Sequence, residues 1–439
     1  MKQEWLERID RRSATVGVVG LGYVGLPLAL AFARAGFRVL GLDVDEEKTR
    51  SLAAGRSYIR HISDETIAEQ FAGVAARAEA TTDFARASEC DAVLICVPTP
   101  LTRHREPDLS YVRQTAETLG AHGRPGQLIV LESTTWPGTT EDVLVPALEQ
   151  AGRLKAGRDF RVAYSPERED PGNPAYSTAT IPKVIGGLDA DALAMAEALY
   201  GTIVERTVPV SNCRTAEAAK LMENIFRSVN IALVNELKMV FADMDIDIWE
   251  VVRAASTKPF GFMPFLPGPG LGGHCIPIDP FYLAWKAREF GRSTRFIELA
   301  GEINTGMPAY VVQRTVAALN ARGKPVKNSR VLMVGLAYKP NVDDDRESPT
   351  YRLWEAFEAL GARVDYYDPF CPVVRPSREY AKYAGRPSVA WEAIAANRYD
   401  AIVIATAHSA VDHDALTGMS DLVVDTRGVC RAANSVARA

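Results

Sequence analysis

"TVGVVGLGYVGLPLALAFARAGFRVLGLDVD", residues 15–45, decides the fold of the first part of the chain. Its opening, TVGVVG, is an apolar run with the length and composition of a buried parallel strand. Gly20, Gly22 and Gly25 follow as G-x-G-x-x-G, with Leu21, Tyr23 and Val24 between them. A helical segment then runs to Gly36, and a second strand, FRVLGLD, ends at Asp43. Each glycine has its own task. Gly20 permits the tight turn, Gly22 lets backbone approach a pyrophosphate, and Gly25 allows close helix–strand contact. The helix N-terminus turns its positive dipole end toward the phosphates. Asp43 stands where an acid accepts hydrogen bonds from a ribose and repels a 2′-phosphate, which favours NAD over NADP. Taken alone, the glycines also fit a tight turn with no ligand. The strand before, the helix after and the acid closing the next strand are what argue for a dinucleotide.

The same rhythm continues outward. DAVLICVPTP (91–100) reads as a buried strand running into Thr99, QLIVLESTTWPGTT (127–140) as another ending in Ser133, Thr134 and Thr135, and FRVAYSPERED (160–170) as a third ending at Glu167 and Arg168. In a doubly wound sheet, ligands bind at the carboxyl ends of strands, where all three polar clusters fall. Thr139 or Thr140 also suits the N-cap of the helix that follows. From Thr215 the pattern turns helical for more than 25 residues, and Lys220, Asn224 and Arg227 fall at i, i+4 and i+7, on one face. A solvated edge is the plain reading of such a stripe; its register upstream of a cysteine loop suggests a site. A second helical run (293–323) stops at Gly323. SRVLMVGLAYKPNVDDDRESPT (329–350) then opens another α/β pattern, with a helix starting near Ser348-Pro349. Its first turn carries Tyr338, Lys339 and Arg346 in place of the glycine fingerprint. These donors suit a phosphate-bearing group, or a salt-bridge cluster with Asp343, Asp344 and Asp345. The expected architecture is α/β: two Rossmann-like doubly wound domains (1–205 and 324–439) joined by a central helical region (206–323) with a long helix.

Composition narrows the function classes. The chain has 439 residues, 47% of them apolar, and a dispersed net charge of −5. No basic tract argues for nucleic acid, and no apolar stretch has the ~18 residues of a membrane span. The N-terminus mixes charge with its few apolar residues, unlike a signal peptide. A cytoplasmic protein is the expectation. The six cysteines (Cys90, Cys96, Cys213, Cys275, Cys371, Cys430) are scattered without a C-x-x-C pair. That argues for free thiols in a reducing compartment and against a zinc or other metal site.

Cys275 alone lies in a polar, glycine-rich loop, GPGLGGHCIPIDPFYL (268–283). A thiolate adds to an aldehyde to give a thiohemiacetal; hydride loss gives a thioester, and water releases an acid. Asp279, four residues on, could orient or deprotonate water, and Lys220 could stabilise a developing alkoxide. A loop thiol of no consequence is the alternative.

GVVGLGYVGLP, VPTP, ESTTWPGTTE, YSPEREDPGN, AKLMENIFRSVNIALVNE, PGPGLGGHCIPIDPFYL and GLAYKPNVDDDRESP occur in this order. Together they resemble the UDP-glucose/GDP-mannose dehydrogenase family over nearly the whole chain. The resemblance implies NAD-dependent four-electron oxidation of a sugar nucleotide's C6 hydroxyl to a carboxylate, with an NAD domain first and a UDP-sugar domain last. SPEREDPGN, the stretch around KPFGFMPFLPGPGLGGHC, and TRFIELAGEIN are similar to the branch acting on UDP-N-acetylglucosamine. UDP-N-acetylgalactosamine, UDP-N-acetylmannosamine, UDP-glucose and a catalytically silent nucleotide-sugar-binding protein are the alternatives. Pro171 and His274 depart from the UDP-glucose pattern, which puts a second water-activating glutamate in doubt.

By the same resemblance Cys275 is the nucleophile, with Lys220, Asn224 and Asp279 around it, and Glu167 and Thr134 serve thioester hydrolysis. Gly20, Gly22, Tyr23, Val24, Gly25, Asp43, Thr99 and Thr134 fall on NAD positions. Arg168, Lys220, Asn224, Arg227, Phe260, Gly272, Tyr338, Lys339 and Arg346 fall on substrate positions, with 260–270 along the UDP. A homodimer or higher homo-oligomer is implied as well.

Overall fold

The computed structural model describes residues 2–60, 62–102, 106–169, 177–273, 276–377 and 379–439. Cys275, His274 and Pro171 lie outside the described residues. The chain divides into two compact units, residues 1–223 with 281–292, and residues 224–280 with 293–439.

The first unit is built on an eight-stranded sheet. Its strands are β1 (Thr15–Val19), β2 (Arg38–Leu42), β3 (Ala78–Thr81), β4 (Ala92–Ile95), β5 (Leu128–Leu131), β6 (Arg161–Tyr164), β7 (Lys183–Gly187) and β8 (Thr207–Val210). The order is β3-β2-β1-β4-β5-β6-β7-β8, and every pairing is parallel except β6 with β7. The chain reverses direction across the sheet between β1 and β4, the topological switch point where such sheets hold their ligands. β1, β4 and β5 are buried at every position, as strands covered on both faces must be. Their apolar runs are therefore continuous rather than alternating.

The second unit carries five parallel strands, β9 (Arg330–Val334), β10 (Arg363–Tyr367), β11 (Ala401–Ile404), β12 (Val423–Asp425) and β13 (Val436–Arg438), in the order β10-β9-β11-β12-β13. The period of two along a strand splits its core. Val331 and Met333 pack with Trp354 and Phe357 on one face, while Leu332 and Val334 pack with Ile394 and Tyr399 on the other. Ser348 caps the helix Pro349–Ala359 by accepting from the Thr350 N–H, with Pro349 in the first turn as the sequence suggested.

The remaining framework is helical. One helix, Cys213–Asp243, runs across the boundary at 223/224, and another spans Arg295–Ala321 in the second unit, before Gly323 in a left-handed conformation. Among the described residues no helix is long and apolar enough to cross a membrane.

Candidate functional site

In the first unit the glycine turn fits a bound dinucleotide. Gly20 has a φ of +88°, and a Cβ on Gly25 would lie 1.9 Å from the Gly20 carbonyl oxygen, so no larger residue fits there. A Cβ on Gly22 would meet nothing within 4 Å, which leaves open space beside the loop. Val24 is the N-cap of the helix Gly25–Arg34, and no side chain caps that N-terminus among the described residues. Uncapped N–H groups at a glycine turn are the cradle a pyrophosphate needs. Asp43 is buried at the end of β2; it accepts from the Leu21 and Asp45 N–H groups and from Lys48 Nζ at 3.2 Å. A carboxylate has about four lone-pair positions, so an acceptor remains for a ribose hydroxyl. Tyr23 and Val24 are half-buried. Thr99 is buried, and its carbonyl accepts from Tyr282 Oη at 2.8 Å.

Beyond β5 the loop carrying Thr134 is held from a distance. Glu217, on the first turns of Cys213–Asp243, is wholly buried and accepts from the Gly138 N–H (2.5 Å), the Thr140 N–H (2.9 Å) and the Thr140 hydroxyl (2.7 Å). The N-cap expected of Thr139 or Thr140 is thus supplied by a carboxylate remote in sequence: Thr139 donates its hydroxyl to the Trp136 carbonyl instead. Burial pushes the Glu217 carboxyl up to about 7, against the lowering by those three bonds.

Glu167 follows β6, with Lys183 beside it. Its Oε1 accepts from the Arg168 and Glu169 N–H groups, both at 2.7 Å, and its Oε2 faces Lys183 Nζ at 3.3 Å. Lys183 also bonds Glu132 at 2.7 Å, and Glu132 accepts from the Tyr200 hydroxyl. Burial raises both acids, but the outcomes differ. Lys183, the two N–H bonds and Lys220 bring Glu167 below the usual carboxylate range, whereas Glu132 stays above it. Lys220 is buried within electrostatic reach of Glu167. Arg168 is engaged internally, with Glu223 at 2.7 Å and with the Pro182 carbonyl.

In the second unit Asn224 and Asp279 are both buried, and Asn224 Nδ2 donates to Asp279 at 2.5 Å. Arg227, one turn along the helix from Asn224, is exposed, and Phe260 is exposed as well. Gly272, Tyr338 and Arg346 come together: a Cβ on Gly272 would lie 2.7 Å from that of Tyr338, and the Gly273 N–H donates to the Arg346 carbonyl. Arg346 pairs with Asp344 at 2.6 Å, and Arg375 with Asp343, so the salt-bridge reading of this loop is realised in part. Lys339 lies in the same loop, over the Tyr338 ring. The loop is anchored by a buried pair. Asp368, closing β10, accepts from the Leu336 and Ala337 N–H groups and from His408 Nε2 at 3.0 Å, while His408 Nδ1 accepts from the Asn341 N–H. The acid is placed as Asp43 is in the first sheet, but it is sealed by a histidine.

Of the described cysteines, Cys90, Cys213, Cys371 and Cys430 are buried and Cys96 is half-buried. Their thiols are all pushed up, Cys90 and Cys430 to about 12, and Cys96, Cys213 and Cys371 are also raised. Among the described residues no cluster of metal-ligating side chains occurs. Sequence reasoning missed Glu132, Lys183, Glu217 and Lys238. The last is a buried lysine against the Trp249 and Tyr310 rings, lowered to about 7 by burial and by Arg427. Glu132 was visible as an acid in an apolar run, but nothing local named its partner.

Comparison with known proteins agrees with this geometry. Residues 14–204 match the NAD binding domain of the UDP-glucose/GDP-mannose dehydrogenase family, 214–306 its central domain and 332–432 its UDP binding domain. The chain is 36% identical to the UDP-N-acetyl-D-glucosamine 6-dehydrogenase of Pseudomonas aeruginosa, over 90% of each chain. It is likewise 36% identical to the UDP-N-acetyl-D-mannosamine dehydrogenase of Salmonella typhi, over 79% of this chain and 84% of that one. A UDP-D-ManNAc dehydrogenase structure from Pyrococcus horikoshii superposes with a TM-score of 0.86 at 32% identity, covering 97% of this chain and 98% of the other. With a glycine cradle shaped for a pyrophosphate and three successive domain matches, the chain belongs to the UDP-glucose/GDP-mannose dehydrogenase family, whose members are NAD-dependent nucleotide-sugar dehydrogenases.

Proposed function

We propose that the protein oxidises the C6 hydroxyl of UDP-N-acetylglucosamine to the carboxylate through a thiohemiacetal and a thioester on Cys275. The observation that carries this reading is the buried Asn224–Asp279 pair. It joins an amide donor to the acid that lies four residues after Cys275 in sequence, the two kinds of group, oxyanion donor and proton acceptor, that an acyl intermediate calls for. The N-acetylglucosamine substrate is supported by the Pseudomonas aeruginosa relative, and the N-acetylmannosamine epimer is the second reading, on the Salmonella typhi one.

NAD, when bound, would supply the hydride acceptor for both oxidations. Gly20, Gly22, Tyr23, Val24 and Gly25 would hold its pyrophosphate, Asp43 its ribose, and Thr99 and Thr134 its nicotinamide side. Lys220 steadies the alkoxide of the first step. Cys275 takes up the aldehyde. Glu167 and Thr134 orient the water that releases the acid. Arg168, Arg227, Phe260, Gly272, Tyr338, Lys339 and Arg346 would bind the UDP-sugar. The domain scheme 1–205, 206–323 and 324–439 assigns NAD to the first part, the catalytic and dimerising helices to the second and UDP to the third. Initial rates on the gluco-, galacto- and manno-configured N-acetyl sugar nucleotides and on UDP-glucose test the substrate. Cys275→Ala should abolish acid formation; undiminished acid from that variant would dismiss the cysteine mechanism.

A further inference from the structure

Lys183 opens β7 with a side chain only 4% exposed, and its ammonium lies between two carboxylates that come from different strand ends. Glu132 on one side is also bonded by Tyr200, and Glu167 on the other is fixed by two backbone N–H groups. The charged and titratable groups around Glu167 are Lys183 from β7, Glu132 after β5, Lys220 from the long helix and its neighbour Arg168; Cys96 and Tyr200 adjoin Glu132. The second partner of Lys183 is the acid at the strand end where the substrate chemistry is placed.

We propose that Lys183 is a positioning residue for hydrolysis of the enzyme-bound thioester, holding the Glu167 carboxylate in place as its counter-charge. This rests on the role of Glu167 in the function proposed above. In that step a water oxygen bonds to the acyl carbon, the carbon–sulfur bond breaks and the sulfur leaves as thiolate. The water proton passes to Glu167 and then to solvent, and no electrons are exchanged. Lys183 itself touches neither water nor acyl group; it keeps Glu167 as an acceptor and keeps its Oε2 from swinging away.

Lys183→Met alone would strand Glu132 as an uncompensated buried acid. The informative variant is therefore the double substitution Glu132→Gln with Lys183→Met, which removes both charges at similar volume. With UDP-N-acetylglucosamine and NAD, the rapid NADH burst should be unchanged, while steady-state turnover falls about tenfold or more. Turnover should also gain a limb that falls toward acid pH, and acid-quenched protein should carry a covalent sugar adduct by mass spectrometry. Lys183→Arg should keep turnover and the pH profile of the parent. Burst and turnover falling in parallel, or a pH profile matching the parent enzyme, would overturn the assignment. Glu167→Gln separates the two levels: parent-like hydrolysis by that variant removes the role of Glu167 itself, whereas slow hydrolysis there with a normal double variant removes only the role of Lys183.

Discussion

Glu217 offers a stability prediction that can be worked from the structure. Its carboxyl is wholly buried, and burial raises it from the usual 4.5 to about 7. A raised carboxyl means that the folded state binds a proton more tightly than the unfolded one. The stabilisation is fully present below pH 4.5 and is lost as pH rises to about 7. At about 1.4 kcal/mol per pH unit the loss is about 3 kcal/mol. Glu217→Gln cannot ionise, so its stability should lack this component. The measurement is urea denaturation of parent and variant at pH 5, 6, 7 and 8, followed by tryptophan fluorescence; Trp136 in the anchored loop is a local reporter. The parent-minus-variant difference should swing against the parent by about 2.5 kcal/mol between pH 5 and 8. A difference constant to within about 0.5 kcal/mol would refute the reasoning. Glu217→Ala, which leaves the Gly138 and Thr140 N–H groups unpaired, should cost about 2–4 kcal/mol at pH 5 and less as pH rises, because it too lacks the ionising group.

Gly25→Ala should weaken NAD binding tenfold or more in a fluorescence titration, because the added methyl meets backbone at Gly20 rather than a movable side chain; affinity within twofold of the parent would count against the cradle. His408→Ala leaves Asp368 and the Asn341 N–H without their buried partner, so the second unit should lose about 2–4 kcal/mol and UDP affinity should fall while NAD affinity holds. Equal loss of both affinities in equilibrium dialysis would contradict a local role. Lys238 is lowered to about 7, so the second unit should gain stability as pH rises from about 7 toward 10.5. Lys238→Met should stabilise it more at pH 6 than at pH 9 in thermal melts, and the reverse order would be wrong for a desolvated lysine.

The strands read most easily were those buried on both faces, since β1, β4, β5, β9 and β11 are uninterrupted apolar runs. β8 was hidden by Pro209, tolerated because β8 is an edge strand. β7 was hidden by Gly186 and Gly187, of which Gly186 would put a Cβ 2.3 Å from the Asn212 carbonyl. β3 (AEAT) and β13 (VAR) are edge strands that carry polar residues and no apolar run. Asp43 was legible because its spacing from the glycines is fixed by one β-α-β unit. Lys183 and Glu217 were not, because the partners of Lys183 lie 16 and 51 residues away and those of Glu217 77–79. Only the folded sheet brings those charges together. Arg168 and Arg346 were placed on substrate positions by resemblance, Arg346 with a salt bridge to the neighbouring aspartates as its alternative; in the structure they pair with Glu223 and Asp344 respectively.

The central claim, oxidation past the aldehyde on Cys275, is tested most directly by counting NADH formed per UDP-N-acetylglucosamine consumed. The account predicts two NADH and a uronic acid. One NADH with an aldehyde product would contradict it.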